Sequence, residues 1–223
     1  MKTIAIAGET FWDISDLVSP DRYVRPTTRA LVLHHTVGQT VAEDRNRSGT
    51  YRDEQIAHIQ AIESFHRQKG YGGFGYQAIA FLTGDVYVVG PGDGARAHVA
   101  GQNAYYEGIA LAGDWSQGPL PLGLVLGVAR WVYAKWRQRG FLPVLGHREV
   151  PEQETSCPGD GTLRARPQLL RTVEAYAEGR RQELEEQVRK ALAAALGPTA
   201  LRGDLEELAR QLSWLTGGRL CGR

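Results

Sequence analysis

Gly146-His147-Arg148-Glu149 and Thr155-Ser156-Cys157-Pro158-Gly159 set an imidazole and a thiol ten residues apart, across a loop that holds Pro151. Far upstream, Leu31-Val32-Leu33-His34-His35-Thr36 supplies further imidazoles. Two nitrogens and one sulfur with a fourth position open is the form of a catalytic zinc, which has three protein ligands and one exchangeable water. Each of the six histidines (His34, His35, His58, His66, His98 and His147) reads equally, taken alone, as a hydrogen-bonded core or surface residue. The chain has no paired C-x-x-C, so spacing leaves the zinc site and the ordinary structural histidine as open alternatives.

The elements that would position these groups can be read from periodicity. Arg29 to His34 carries the apolar run Leu31-Val32-Leu33 and reads as a buried strand. Asp53 to Lys69 reads as a helix with Ile56, Ile59, Ile62 and Phe65 as its apolar stripe, stopped by Gly70 and Gly72-Gly73. Gly75 to Leu82 and Val86 to Val89 flank Thr83-Gly84-Asp85 and read as a hairpin. Gly108 to Ala112 and Leu142 to Leu145 read as strands, the second delivering His147 at its end. Pro121 to Arg139 and Leu163 to Ala177 read as helices, with Pro167 tolerated near the start of the latter. Interspersed strands and helices predict an α/β domain with a mixed central sheet flanked by helices, and site residues at strand ends.

Composition changes near Gly179. Residues 1–179 are expected to form the catalytic domain and 180–223 a helical C-terminal extension. Leu184, Val188, Leu192 and Leu196 are spaced by four. After Gly197-Pro198, Leu205, Leu208, Leu212 and Leu215 follow an a/d pattern. Two amphipathic helices result, packed on the domain or on each other, with self-association as the alternative; two short heptads do not make a coiled coil.

At 223 residues, 42% apolar and a net charge of +1, the chain has the means for a packed core and lacks the basic excess of a general nucleic-acid binder. No stretch has the length of a membrane span. The start, Met1 to Gly8, is a poor secretory signal because Glu9 and Asp13 follow a very short apolar run. Synthesis in the cytoplasm is therefore expected. Cys157 is expected reduced; a disulfide to Cys221, the third residue from the C-terminus, is the minor alternative.

Leu33-His34-His35-Thr36, Gly75-Tyr76, Ala97-His98, Gly113-Asp114-Trp115, Leu145-Gly146-His147-Arg148 and Cys157-Pro158-Gly159 follow one another in a familiar order. Over about residues 28 to 176 the chain resembles the zinc-dependent N-acetylmuramoyl-L-alanine amidases, the family of the phage lysozyme-type amidases and the catalytic peptidoglycan recognition proteins. The resemblance implies one zinc per chain held by His34, His147 and Cys157, with His35 the runner-up to His34. It implies Tyr76 and Thr155 as catalytic groups, and His35, Thr36, His98 and Asn103 as substrate-contacting positions. The phage enzymes carry a lysine where Thr155 stands and the recognition proteins a threonine. The loop from His147 to Cys157 is slightly longer than is usual in the family.

The reaction so implied cuts the amide between the lactyl group of N-acetylmuramic acid and L-alanine in peptidoglycan or its muropeptides. Zinc acts as a Lewis acid on the carbonyl and lowers the pKa of its water toward about 7. Tyr76 donates to the developing oxyanion, an interaction worth roughly 3 kcal/mol, and Thr155 adds a weaker donor. The proton carrier is open: Glu149 is the nearest carboxylate to a ligand, and otherwise a surface residue or a partner for Arg148. His66 reads as structural and His58 as a solvated helix residue. A binding module without catalysis is the alternative class, disfavoured because both ligand types and Tyr76 are present. A phage endolysin reaching the wall after holin-type release is the expected setting, with a cytoplasmic muropeptide-recycling amidase as its alternative.

Overall fold

The computed structural model describes residues 1–20, 27–38 and 51–196. Seven strands form one sheet: β1 (Lys2–Ile6), β2 (Glu9–Asp13), β3 (Ala30–His35), β4 (Ala78–Ala80), β5 (Val86–Val88), β6 (Tyr106–Leu111) and β7 (Val144–Gly146). Their order across the sheet is β1-β2-β5-β4-β6-β3-β7. β4, β6, β3 and β7 run parallel, while β1–β2 and β4–β5 are antiparallel hairpins. The helices are α1 (Tyr51–Gln68), α2 (Leu122–Arg139) and α3 (Asp160–Leu196). The expected mixed sheet with flanking helices is the observed architecture, and a C-terminal helix follows it.

Register decides which residues share a face. Ile79 lies opposite Tyr87 and Ala110, and Ala110 lies opposite His34. These residues point to the side covered by Ile59 of α1, Phe74 and Phe81. Ala30, Val32 and Tyr106 continue that face toward the other edge, where Val99 and Val150 cover them. Val86 points to the opposite side, where α2 comes so close that a methyl group on Gly127 would touch it. α2 is anchored to β6 by a buried ion cluster: Lys135 Nζ is 3.2 Å from Glu107, and Arg139 Nε is 2.7 Å from it. β3 is an interior parallel strand, so its apolar run is buried on both faces, while β7 forms the edge of the sheet beside it.

Several expectations need correction. The hairpin strands are shorter than the segments read for them, because Gly75 to Gln77 is a loop held by α1. Phe65 is 54% exposed and is not part of the α1 core face. That face is instead Gln55, Ile59, Glu63 and His66, all buried, so its period is hidden by polar residues with structural work. His58 is not solvated: it is half-buried, its ring packs edge-on to Phe81, and Nε2 lies 3.4 Å from Thr36 Oγ1. α3 starts at Asp160, which puts Pro167 beyond its first turn, and it continues to Leu196 through Gly179. The helix read over 163–177 and the first tail helix are thus one helix. The N-terminal hairpin β1–β2 was not read as strands at all.

The chain divides into two compact units, residues 1–172 and 173–223, with α3 running across the boundary. In the second, Leu184, Val188, Leu192 and Leu196 lie on the α3 backbone. The a/d residues Leu205 to Leu215, and Cys221, lie outside the described residues. No helix among the described residues is long and apolar enough to cross a membrane.

Candidate metal centre and its cleft

Each ligand candidate arrives from a different kind of local structure. His34 is the penultimate residue of β3, and its side chain is 2% exposed. His147 opens a single 3-10 turn directly after β7. Cys157 lies in the loop that leads to α3, with its carbonyl accepting from the Arg148 amide at 2.9 Å. One donor atom from each of the three falls within 4.8 Å of the others. Cys157 Sγ is 3.7 Å from His34 Nδ1, and the His34 and His147 ring centres are 4.5 Å apart.

Hydrogen bonds fix which ring nitrogen of His34 is available. His98 Nε2 is 3.1 Å from the Tyr106 carbonyl, which can only accept, so that nitrogen carries a proton. With a neutral ring, His98 Nδ1 then accepts, and His34 Nε2, 3.0 Å away, donates to it. The bare lone pair of His34 is therefore on Nδ1, the atom that faces the thiol. The His98 ring lies flat over Gly108, where an added Cβ would sit 2.7 Å from Nδ1, so the residue opposite Val32 on β6 must be glycine. His98 is held from the other side by Asn103, whose Oδ1 accepts from the His98 and Val99 amides.

The donor set fits zinc: two neutral imidazoles and one thiol, converging with lone pairs toward a common point and leaving a side open to the cleft. Burial drives the His34 pKa well below its usual value, helped by the neighbouring imidazoles, and burial lowers that of His147. Both rings thus stay unprotonated ligands at neutral pH. Burial pushes the Cys157 thiol up to about 11, against the pull of the His35 amide and Arg148. A cation at the site reverses that preference, so metal uptake releases a proton.

The cleft has a volume of about 530 Å³. Tyr76 lies in its wall, its ring 5.1 Å from that of His34. α1 places it by gripping the preceding backbone: Glu63 accepts from the Phe74 amide, and His66 Nδ1 accepts from the Gly75 amide at 3.0 Å. Gly75 is required there, since a Cβ would stand 2.6 Å from the Ala97 carbonyl. Burial, and then Cys157, raise the Tyr76 pKa far above its normal value, so the phenol keeps its proton and remains a donor. Thr155 Oγ1 accepts from the Cys157 amide at 3.1 Å, which leaves its own hydroxyl hydrogen to point elsewhere.

His35, His98, Asn103 and Thr155 line the cleft with the three ligand candidates. His35 occupies the opposite face of β3 from His34; its Nδ1 accepts from the Trp115 amide at 3.2 Å, and Asp114 lies 3.5 Å away. Thr36 is not among the lining residues: its hydroxyl accepts from the Gly113 amide at 2.9 Å. Glu149 is drawn away from the cleft. Burial alone would raise its pKa, but Arg166 and the Gly146 amide bind the carboxylate and hold it below normal. Nor does it pair with Arg148, which binds Asp160 at 2.8 Å. Reading residues missed Gln153, Glu63 and Gly108. An acid spaced three residues before His66, on the face of Ile59, was the available signal for Glu63; nothing in the sequence marks Gln153.

This arrangement agrees with the family model for N-acetylmuramoyl-L-alanine amidase, which matches residues 24–160, more than half of the chain. The chain belongs to that family. It is 29% identical over 126 residues to the human N-acetylmuramoyl-L-alanine amidase, a match covering 52% of this chain and 21% of the human protein. The chain therefore spans about a fifth of that relative's length. Among solved structures it is similar to Drosophila PGRP-LB (TM-score 0.55, 22% identity, 69% of this chain and 89% of that one). It is likewise similar to bumblebee PGRP-SA (TM-score 0.54, 23% identity, 65% and 83%). At those identities the likeness shows the fold.

Proposed function

We propose that this protein is a zinc-dependent hydrolase of the amide bond between N-acetylmuramic acid and L-alanine, with His34, His147 and Cys157 as ligands. The observation that carries the reading is the convergence of those three donors in a cleft that also presents the Tyr76 phenol. When bound, zinc supplies Lewis acidity and activates water at neutral pH. The chain's own groups do the rest. Tyr76 keeps its proton and donates it in a hydrogen bond to the carbonyl oxygen as negative charge develops there. The Thr155 hydroxyl, oriented by the Cys157 amide, is the second donor. His98 and Asn103 fix the wall beside His34, and His35 lines the floor from the other face of β3.

The substrate we assign is peptidoglycan or its soluble muropeptides, and catalysis is assigned to residues 1–179. Zinc analysis, with mass spectrometry of purified peptidoglycan after digestion, tests both. Stem peptides beginning with L-alanine and one zinc per chain are expected; intact glycopeptide and no zinc overturn the reading. A parallel arm with soluble muropeptide separates a wall-lytic endolysin, which must clear sacculi, from a recycling amidase, which need not. A chain ending at Gly179 is expected to give the same soluble product.

A further inference from the structure

His147 stands on a turn rather than a strand, and the ring is half-exposed. Something must nevertheless hold its plane. Its Nε2 lies 3.2 Å from Gln153 Oε1, in the segment between the two late ligand candidates. The amide of Gln153 is itself pinned. Oε1 accepts from the Ala100 amide at 3.2 Å, and Nε2 donates to the Ala100 carbonyl at 3.1 Å. That pair of bonds settles which end of the side chain is oxygen. An oxygen can only accept, so His147 Nε2 must donate, and the ring's free lone pair is on Nδ1.

Two further contacts tie the same loops. Gln102 donates to the Pro151 carbonyl at 2.7 Å, and Val99 and Val150 are buried in one apolar cluster. Glu152, next to Gln153, has φ of 65°, a left-handed conformation that costs energy for this residue type. Strain at Glu152 and a two-bond side-chain clasp together aim one amide oxygen at one imidazole. The segment 97–103 therefore supports both histidines, His34 through His98 and His147 through Ala100 and Gln153.

We propose that Gln153 is a positioning residue that fixes His147 in its Nε2–H form and presents Nδ1 to the metal, a role that rests on the zinc reading above. Outer partners of this kind change metal affinity by about 10- to 100-fold when removed. The test uses the full chain with Gln153→Met, Gln153→Asn and Gln153→Glu. Zinc affinity is measured by competition with a chromogenic chelator, and the His147 tautomer by imidazole ¹⁵N shifts in metal-free protein.

In Gln153→Met the tautomer is expected to become mixed and zinc to bind about 10- to 100-fold more weakly, with the near-ultraviolet dichroism unchanged. Gln153→Glu, which keeps the acceptor but loses the donor to the Ala100 carbonyl, is expected to recover the Nε2–H form and to bind zinc more tightly than Gln153→Met but more weakly than wild type. Should Gln153→Met not fold, Gln153→Asn, whose amide falls one carbon short, is expected to show the same two changes. An unchanged tautomer and wild-type zinc affinity in the folded Met or Asn variant overturn the role. Failure of the wild type to bind zinc sinks the zinc reading instead, and the tautomer comparison still decides whether Gln153 orients the ring.

Discussion

The two halves of the proposed metal centre are built differently. His34 belongs to an interior strand, is buried, and donates from Nε2 to His98, which donates in turn to the Tyr106 carbonyl. His147 and Cys157 belong to a turn and a loop, and their orientation depends on hydrogen bonds from the loop side chains Gln153, itself tied to Ala100, and Thr155. A strand residue inherits its direction from the sheet register, so one glycine at position 108 suffices to admit its partner. A loop residue has no register to inherit and needs a clasp. The strand half is preorganised by the fold, and the loop half by local hydrogen bonds that water can compete for.

Removing a ligand from the loop half is the severest break. Cys157→Ala is expected to strip most of the metal and the activity while the sheet stays folded, read by metal analysis and muropeptide hydrolysis. Full zinc occupancy with wild-type rates in that variant would show that the loop half is dispensable.

Tyr76 touches neither half as a ligand. Tyr76→Phe is expected to keep zinc and to lower kcat by on the order of a hundredfold, since one oxyanion donor is lost. A rate within about threefold of wild type assigns the ring to packing.

Next comes the comparison itself. His98→Leu leaves the Nε2–H of His34, a side chain only 2% exposed, without an acceptor, whereas Gln153→Met leaves that of the half-exposed His147 without one. Both are expected to weaken zinc, by about 10- to 100-fold, with His98→Leu the more damaging. Chelator competition on the pair gives the order; equal losses would mean that enclosure of the strand half contributes nothing.

The smallest effect on chemistry is expected at Glu63. Burial pushes its carboxyl up, but bonds from Arg67, Ser19 and the Phe74 amide overcome this and hold the pKa below 4.5. A depressed folded pKa stabilises above the unfolded value, and that contribution is lost as pH falls through the folded one. Glu63→Gln is expected to cost about 2 kcal/mol at neutral pH. The gap to wild type should close as pH drops below 4.5. Denaturant titrations at several pH values measure it, and a gap independent of pH removes the charge from the explanation.

The strand half was legible in the sequence and the loop half only partly. Leu31-Val32-Leu33-His34 announces a buried strand with an imidazole at its end, because continuous apolar runs have one economical fate. The ligand set and Tyr76 followed from the order of motifs, and the geometry brings them together. Gln153 was invisible: its work depends on Ala100, fifty-three residues away, and on a strained neighbour, neither of which leaves a periodic trace. The α1 face misled for the opposite reason. Phe65 completes an apolar stripe on paper, yet Glu63 and His66 occupy the interior because backbone amides there need acceptors. The β1–β2 hairpin is short, and its alternation was lost beside charged residues.

The lining of the cleft has one more result. Among the described residues it offers imidazoles, amides, hydroxyls, two phenols and a thiol, and no aspartate, glutamate, lysine or arginine. The side chains of the wall thus add no formal charge of their own, and the field that an anionic stem peptide would meet there comes from the zinc proposed above and its thiolate. Salt dependence of the encounter with soluble muropeptide would then trace to the bound zinc and should shrink in the metal-free protein, read by binding at low and high ionic strength.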